Sequence, residues 1–313
     1  MFERVLEQLK RYDTIIIHRH HHPDGDALGS QIGLKHLILS NLPGKTVYMA
    51  GDEAGRYDFM EDSVMDEIPD ESYAGALAVI LDTSARSLIS DDRWIKAAST
   101  VRIDHHLQLE QIAEAEVIDS TFESCSGLIT EMAVECGWKL SPLAAISLYT
   151  GMVTDSGRFR YDSTTAHTFR LASFLMEQPI DTGALYRNLY SNDLEQLRLR
   201  AQFIGKIRLT ATGVAYIYTD REELRACGDD EFGISRGMVN VMADIRNVDI
   251  WVSFTETDHG VLCELRSDRY NINPVAVRYG GGGHAKASGA TVHSRDEALN
   301  MLDDLDRMLE ERQ

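Results

Sequence analysis

The chain is short of cysteine, of positive charge and of long apolar runs, and each shortage closes off a class of protein. Four cysteines, Cys125, Cys136, Cys227 and Cys263, are spread through 313 residues with no C-x-x-C pair. That spacing fits neither a zinc finger nor a disulfide framework, and reduced thiols in a cytoplasm are expected. No apolar run approaches the roughly 20 residues of a membrane-spanning helix. The N-terminal MFERVLEQLKRYD carries charge throughout and lacks an apolar core, so it reads as an amphipathic helix and not as a signal peptide. Lysine and arginine number 31 against 50 aspartates and glutamates, a formal net charge of −19. Such a field repels long polyanions, because grip on duplex DNA or RNA comes largely from neutralising phosphates. A short anionic substrate remains compatible with it, since bound cations and a few arginines can reverse the potential inside one cleft. Internal repeats and low-complexity tracts are also missing.

With 43% apolar and 26% charged residues, the chain can bury a sizeable core and is long enough for two domains. From residue 14 to about 160, short β-branched runs (TIIIHR, KTVYMAG, ALAVILDTS, STVRIDHH) alternate with longer helical patterns (GSQIGLKHLILSNL, SGLITEMAVECGW, PLAAISLYTGMV). This alternation predicts an α/β domain, a mainly parallel sheet with helices on both faces. Residues 164–205 read as helices with little glycine or proline. The strand-like VAYIYTD, IWVSFTET and GVLCELRS then predict a smaller mixed α/β domain, with helical SRGMVNVMADI between the first two. A capping pattern at Ser294-Arg295-Asp296-Glu297 opens a terminal helix. The expected boundaries are 1–185 for the first domain, 186–205 for a helical linker and 206–313 for the second domain.

Acids and imidazoles stand where the predicted strands end. His20-His21-His22-Pro23-Asp24-Gly25-Asp26 follows TIIIHR, Asp82 follows ALAVIL, Asp104-His105-His106 closes STVRI, and Asp155 lies in TDSGRF after a helical stretch. In open α/β sheets ligands gather beyond the carboxyl ends of the strands. Grouped carboxylates and imidazoles suit manganese, magnesium or zinc, and the group needs a cation to offset its own repulsion. Two cations about 3.5–4 Å apart can polarise phosphoryl oxygens and acidify a water, so the pattern points to a two-metal hydrolase. Asp82, alone at its strand end, is the candidate bridging carboxylate. A lone aspartate in that position more often caps a helix, and the histidine run 18–22 by itself fits a solvated polar turn. Recurrence at matching strand ends is what favours a metal site.

A glycine run at 280–283 precedes His284. Glycines there allow positive φ and bring backbone N–H groups close to an anion, although a plain flexible turn has the same composition. Lys286 and Ser288 follow it as phosphate donors, and Arg266-Ser267 ends the strand GVLCELRS.

The ordered set HRHHHPDGDALGS, ILDTS, IDHH and TDSGRF resembles the N-terminal motifs of the DHH phosphoesterase superfamily. YGGGGHAKASGA is similar to the glycine-rich signature of its DHH-associated C-terminal domain. The motifs extend from His20 to Gly289, and the two-domain size is similar to the stand-alone NrnA-type enzymes. The resemblance implies a pair of divalent ions, manganese before magnesium or cobalt, in a cleft between the domains. It implies His20 and Asp24 on one ion, Asp26, His105 and Asp155 on the other, and Asp82 on both. His20 is chosen from its run by the H-x-x-P-D spacing to Asp24. Asp104 would orient the neighbouring histidines and His106 would face the scissile phosphate, the two forming the catalytic pair. Arg266 and His284 would hold the nucleotide, assisted by Ser267, Gly282, Gly283 and Ser288. For Arg158 a phosphate contact and a surface salt bridge are equally open.

The resemblance further implies a nanoRNase acting on very short RNA oligonucleotides, which also dephosphorylates adenosine 3′,5′-bisphosphate (pAp). Two alternatives are a phosphodiesterase of cyclic or linear signalling dinucleotides and a nucleotide sensor without turnover. The full set of donor types speaks against a mere sensor. An inorganic pyrophosphatase would share a related N-terminal site, but the GGGGH signature and Arg266 favour a nucleotide. The expected partners therefore exclude long duplexes and membranes and admit a homodimer. With imidazole ligands of ordinary pKa, about 6.5, activity should fail in mild acid.

Overall fold

The computed structural model describes residues 1–108 and 110–310. They form two compact units, Met1–Ser191 and Asn192–Gln313, so the break falls inside the stretch read from the sequence as a linker.

The first unit runs α1 (Glu3–Arg11), β1 (Thr14–His18), α2 (Gly25–Asn41), β2 (Thr46–Met49), β3 (Leu77–Leu81), β4 (Ser99–Asp104) and β5 (Ala115–Ile118). It continues with α3 (Cys125–Cys136), α4 (Pro142–Asp155), α5 (Ala166–Leu175) and α6 (Thr182–Tyr190). The five strands are all parallel, in the order β2-β1-β3-β4-β5. Both faces are covered, because the strands are apolar on both. Ile15, Ile17, Leu77, Val79, Leu81, Val101 and Ile103 share one core with residues of α1 to α4. On the opposite face Ile16 packs with Tyr73, and Ala78 and Ile80 with Trp94, residues of the short 3-10 segments Asp70–Gly75 and Asp92–Lys96. Connections through those segments carry no α-helix, so the α-helices gather on one face and 3-10 turns cover the other.

The chain leaves β1 towards β2 on one side and returns to β3 on the other. A crevice therefore opens beyond the carboxyl ends of β1 and β3, the switch point where open α/β sheets bind ligands. Helices α2 and α4 cross very closely above it. Gly25, Gly29 and Gly33 lie along one face of α2, and a Cβ on Gly29 would sit 2.4 Å from the Ser147 carbonyl oxygen of α4. This approach brings Asp26, at the start of α2, towards Asp155, at the end of α4.

The second unit contains α7 (Leu194–Lys206), β6 (Arg208–Leu209), β7 (Ala215–Thr219), α8 (Arg221–Ala226), α9 (Glu231–Val239), β8 (Ile250–Thr257) and β9 (Gly260–Ser267). It ends with α10 (Asn273–Arg278), β10 (Gly282–Gly283), β11 (Ala287–Val292) and α11 (Arg295–Glu310). Its sheet is mixed, in the order β10-β11-β9-β8-β7-β6, with only β7 and β8 parallel. Helix α11 buries Ala298, Met301, Leu302, Leu305 and Leu309 against it. At its start the Glu297 N–H donates to Ser294 Oγ at 3.3 Å, while the Glu297 carboxylate accepts from the His293 N–H at 2.7 Å. All four cysteines are free thiols. Among the described residues no helix is long and apolar enough to cross a membrane.

Candidate active site

Asp82 follows the last residue of β3 and lies at the centre of the crevice, 2% exposed. Its backbone is left-handed (φ 48°), a conformation costly for most side chains and tolerated best by glycine, asparagine and aspartate. Its two oxygens address different neighbours. Oδ2 lies 3.5 Å from His20 Nε2, whereas Oδ1 lies 3.5 Å from His105 Nε2 and 3.6 Å from His106 Nδ1. Oδ1 is buried without a hydrogen-bond partner. A buried carboxylate oxygen in that state normally meets an ion or a donor, so the atom fits a cation.

The other donors arrive from four segments. Asp24 caps α2, its Oδ1 accepting from the N–H groups of Asp26 and Ala27 at 2.9 Å each, and it lies 3.9 Å from His20 Nε2. Asp26 is buried and accepts from the first N–H groups of α3, Cys125 to Oδ2 at 2.7 Å and Ser126 to Oδ1 at 2.9 Å. Ser124 starts that helix by accepting from the Gly127 N–H. Asp155 ends α4, with Oδ2 at 3.2 Å from His105 Nε2. The imidazoles are fixed by backbone carbonyls, which can only accept. Nδ1–H of His20 donates to His21 O at 2.8 Å and Nδ1–H of His105 to Phe122 O at 3.3 Å, leaving both Nε2 atoms as lone-pair donors towards the carboxylates. Three overlapping groups could thus hold metal ions: His20, Asp24 and Asp82; Asp26, His105 and Asp155; and Asp82, His105 and His106.

Of the run 18–22, His20 is the one that enters these groups. His18 is buried beside Tyr73 on the other face of the sheet, His21 donates from Nδ1 to Leu88 O, and His22 projects into solvent, its side chain 90% exposed. Two buried arginines brace the strand ends, and neither was singled out from the sequence. Arg19 donates to Gln31 Oε1, to the carbonyls of His20 and Asp52, and to Asp52 Oδ1, while Asp52 Oδ2 accepts from the His22 N–H. Arg102 donates to Asp104 Oδ2, and Asp104 Oδ1 accepts from His106 Nδ1–H at 2.8 Å. Their isolated positions in the strands gave no periodic or motif signal.

Electrostatics in the crevice favour bound positive charge. Burial raises the pKa of Asp26, and Asp82 and Asp155 add to the shift by repulsion. Burial likewise raises Asp24, and lifts Asp155 to about 7 against the pull of His105. Burial alone would lower His20 and His105, but Asp82, joined by the His21 carbonyl and Asp24 at His20 and by Asp26 and Asp155 at His105, outweighs it and they rise to about 9 and about 10. Asp82 is held well below the ordinary carboxylate range, its burial being overcome by His105 and His20. Protons here occupy the place a cation would take.

In the second unit Arg266 donates from Nη1 to Glu264 Oε2 at 3.1 Å and to Leu265 O. Gly282 and Gly283 pair with Gly289 and Ser288 across β10 and β11. Gly283 has φ 129°, and a Cβ there would lie 2.6 Å from Ala287 O, so a side chain is excluded twice over. The His284 N–H donates to Ala287 O, and Ser288 Oγ donates to His284 O, closing the turn. Ser267 Oγ donates to Asp249 O and accepts from the N–H groups of Arg269 and Tyr270. Both serine hydroxyls therefore shape backbone beside Arg266 and His284. In the first unit Arg158 stacks on the Tyr190 ring, 4.6 Å from its centroid.

A parallel α/β unit with aspartates and histidines at its strand ends, followed by a smaller mixed unit with a glycine-rich turn, defines a class of protein. The chain belongs to the DHH family: its N-terminal domain model matches residues 14–152 and the DHHA1 domain model residues 224–311. The chain is 37% identical over 309 residues to "Probable bifunctional oligoribonuclease and PAP phosphatase NrnA" of Streptococcus mutans, with 98% of this chain and 99% of the relative covered. It is 33% identical to "Bifunctional oligoribonuclease and PAP phosphatase NrnA" of Bacillus subtilis, covering 99% of each. Among solved structures it is similar to an exopolyphosphatase-related protein from Bacteroides fragilis, with TM-score 0.87, 28% identity, and 99% and 97% of the two chains covered.

Proposed function

We propose that this protein is a metal-dependent phosphoesterase that hydrolyses very short oligoribonucleotides to mononucleotides and dephosphorylates pAp. Relatives of that name match from end to end, and the observation that carries the chemistry is Asp82, whose two oxygens face two different imidazoles. His20 and Asp24 would hold one divalent ion, Asp26, His105 and Asp155 a second, and Asp82 both. Manganese is the preferred metal in this reading, and the cytoplasm the location. When bound, such ions offset charge on the phosphoryl oxygens and make an attacking water more acidic.

The protein's own groups then have separate tasks. His106 spends Nδ1–H on Asp104 and presents Nε2 to the substrate, so it serves as proton donor to the leaving oxygen rather than as a ligand. Asp104 raises its pKa, which favours the protonated form. The first unit is the hydrolytic domain. In the second, Arg266, His284 and the outward N–H of Gly283 receive the nucleotide's remaining phosphate, with Gly282, Ser267 and Ser288 holding their backbone. Arg158 is a further phosphate contact.

Product analysis on a ladder of two- to five-nucleotide RNAs, pAp and cyclic dinucleotides, with manganese, tests the reading. Mononucleotides from the shortest RNAs and AMP from pAp are expected. Turnover of cyclic dinucleotides alone, or none of any substrate, would overturn it.

A further inference from the structure

Helix α9 buries Ile234, Ser235 and Val239 and turns its other face outward. On that face Phe232 is 68% exposed. Four residues on, Arg236 lies directly above it in the helix, its guanidinium carbon 5.1 Å from the ring centroid. Arg236 is also tethered: its Nε–H donates at 3.0 Å to Oε1 of Glu264, the carboxylate whose Oε2 accepts from Arg266. Glu264 is partly buried on β9 and pairs with Gly289 of β11, beside the glycine strand. One carboxylate thus bridges two guanidinium groups, one on α9 and one on β9.

We infer that Phe232 and Arg236 form a nucleobase-stacking platform beside Arg266, so that a nucleotide is gripped by its base as well as by its phosphate. The inference rests on the reading of Arg266 as a phosphate contact. An exposed phenyl ring with one side against a guanidinium offers its other side to a flat π-system. Every base has such a face, so the platform accepts RNA without regard to sequence. Glu264 is a positioning residue: it engages Arg236 through Nε, which holds the guanidinium over the ring.

The test uses the full-length manganese-loaded enzyme, an RNA dinucleotide and the same dinucleotide lacking both bases. Phe232→Ala should raise KM for the natural dinucleotide about tenfold with little change in kcat, the pattern of lost uniform binding. Phe232→Trp should keep KM near the parent value, and the base-free substrate should not distinguish Phe232→Ala from the parent. Arg266→Ala should raise KM for both substrates. An unchanged KM in Phe232→Ala, with Arg266→Ala impaired, would overturn the platform and leave the phosphate site standing. An equal rise for the base-free substrate would also overturn it. Unimpaired Arg266→Ala would instead remove the reading beneath it.

Discussion

Arg102 and Asp104, two residues apart on β4 and both fully buried, share a hydrogen bond of 2.5 Å that carries opposite charges at its ends. Through Asp104 the contact reaches His106, so a side chain in the sheet interior fixes the imidazole at the crevice.

Arg102→Leu should therefore destabilise the first unit by about 3–5 kcal/mol, the usual cost of leaving one partner of a buried ion pair uncompensated. Urea denaturation measures the loss. Turnover should fall as well, because His106 loses its orientation, and normal stability with normal kcat would show that the pair is idle.

Replacing Asp82 by asparagine should spare the fold and abolish function. Asparagine tolerates the left-handed backbone at this position, so the change removes charge without adding strain. Turnover should drop at least about a hundredfold, since a metal pair supplies several kcal/mol of charge stabilisation. Metal analysis should find fewer than two tightly held ions per chain. Two retained ions and near-normal turnover would reduce Asp82 to a structural role.

Protonation gives a prediction with a definite sign. His20 and His105 are raised from 6.5 to about 9 and about 10, and Asp155 from 3.8 to about 7. A group whose pKa is raised on folding stabilises the fold below its unfolded value, and that contribution is lost as pH rises through the folded value. For the histidines the loss spans 6.5 to about 9–10, and for Asp155 3.8 to about 7. In chelator, Tm should decline across that interval. Manganese should raise Tm by an increasing margin over the same range, because cations displace these protons. The histidine part of the interval lies well above the mild acid expected of unperturbed imidazoles, since the facing carboxylates favour the charged ring. Thermal melts at about pH 6, 7.5 and 9, with chelator and with manganese, decide the matter. A manganese effect that shrank towards alkali would contradict it.

Alanine at Gly29 offers a contrast in sign. Inside an ordinary helix, glycine to alanine stabilises by about 1 kcal/mol. Here the new methyl would meet the Ser147 carbonyl at 2.4 Å, so α2 and α4 must separate. A net loss of about 1–3 kcal/mol is expected, with reduced metal content as Asp26 and Asp155 move apart. Calorimetry and metal analysis check both effects, and a stabilised variant would mean that the helices yield freely.

What the sequence made legible was what repeats or ends sharply. Alternating β-branched and helical runs announced the parallel sheet, and the acids after TIII, AVIL and VRI marked its carboxyl edge. The groups that hold those acids were not legible, because their partners are remote in the chain or are backbone. Asp26 is secured by N–H groups 99 and 100 positions away. Arg19 and Arg102 look like stray charges in strands until the sheet closes around them. The 3-10 cover on one face was hidden for a related reason: segments such as DESYAG and DRWIK are too short to show a helical period. Phe232 drew no notice, because it lies just ahead of the helical stretch SRGMVNVMADI and a single aromatic there carries no pattern.

The donors of the crevice run from His20 to Asp155, and all lie in the first unit. A ribosome delivers them in that order. The grouping is therefore complete once α4 has emerged and folded, while the strand bearing Arg266 is still unsynthesised. On the proposed function, the nascent chain would therefore carry its full set of metal ligands before the residues assigned to the nucleotide exist, and the growing polypeptide could load metal without yet being able to grip a substrate.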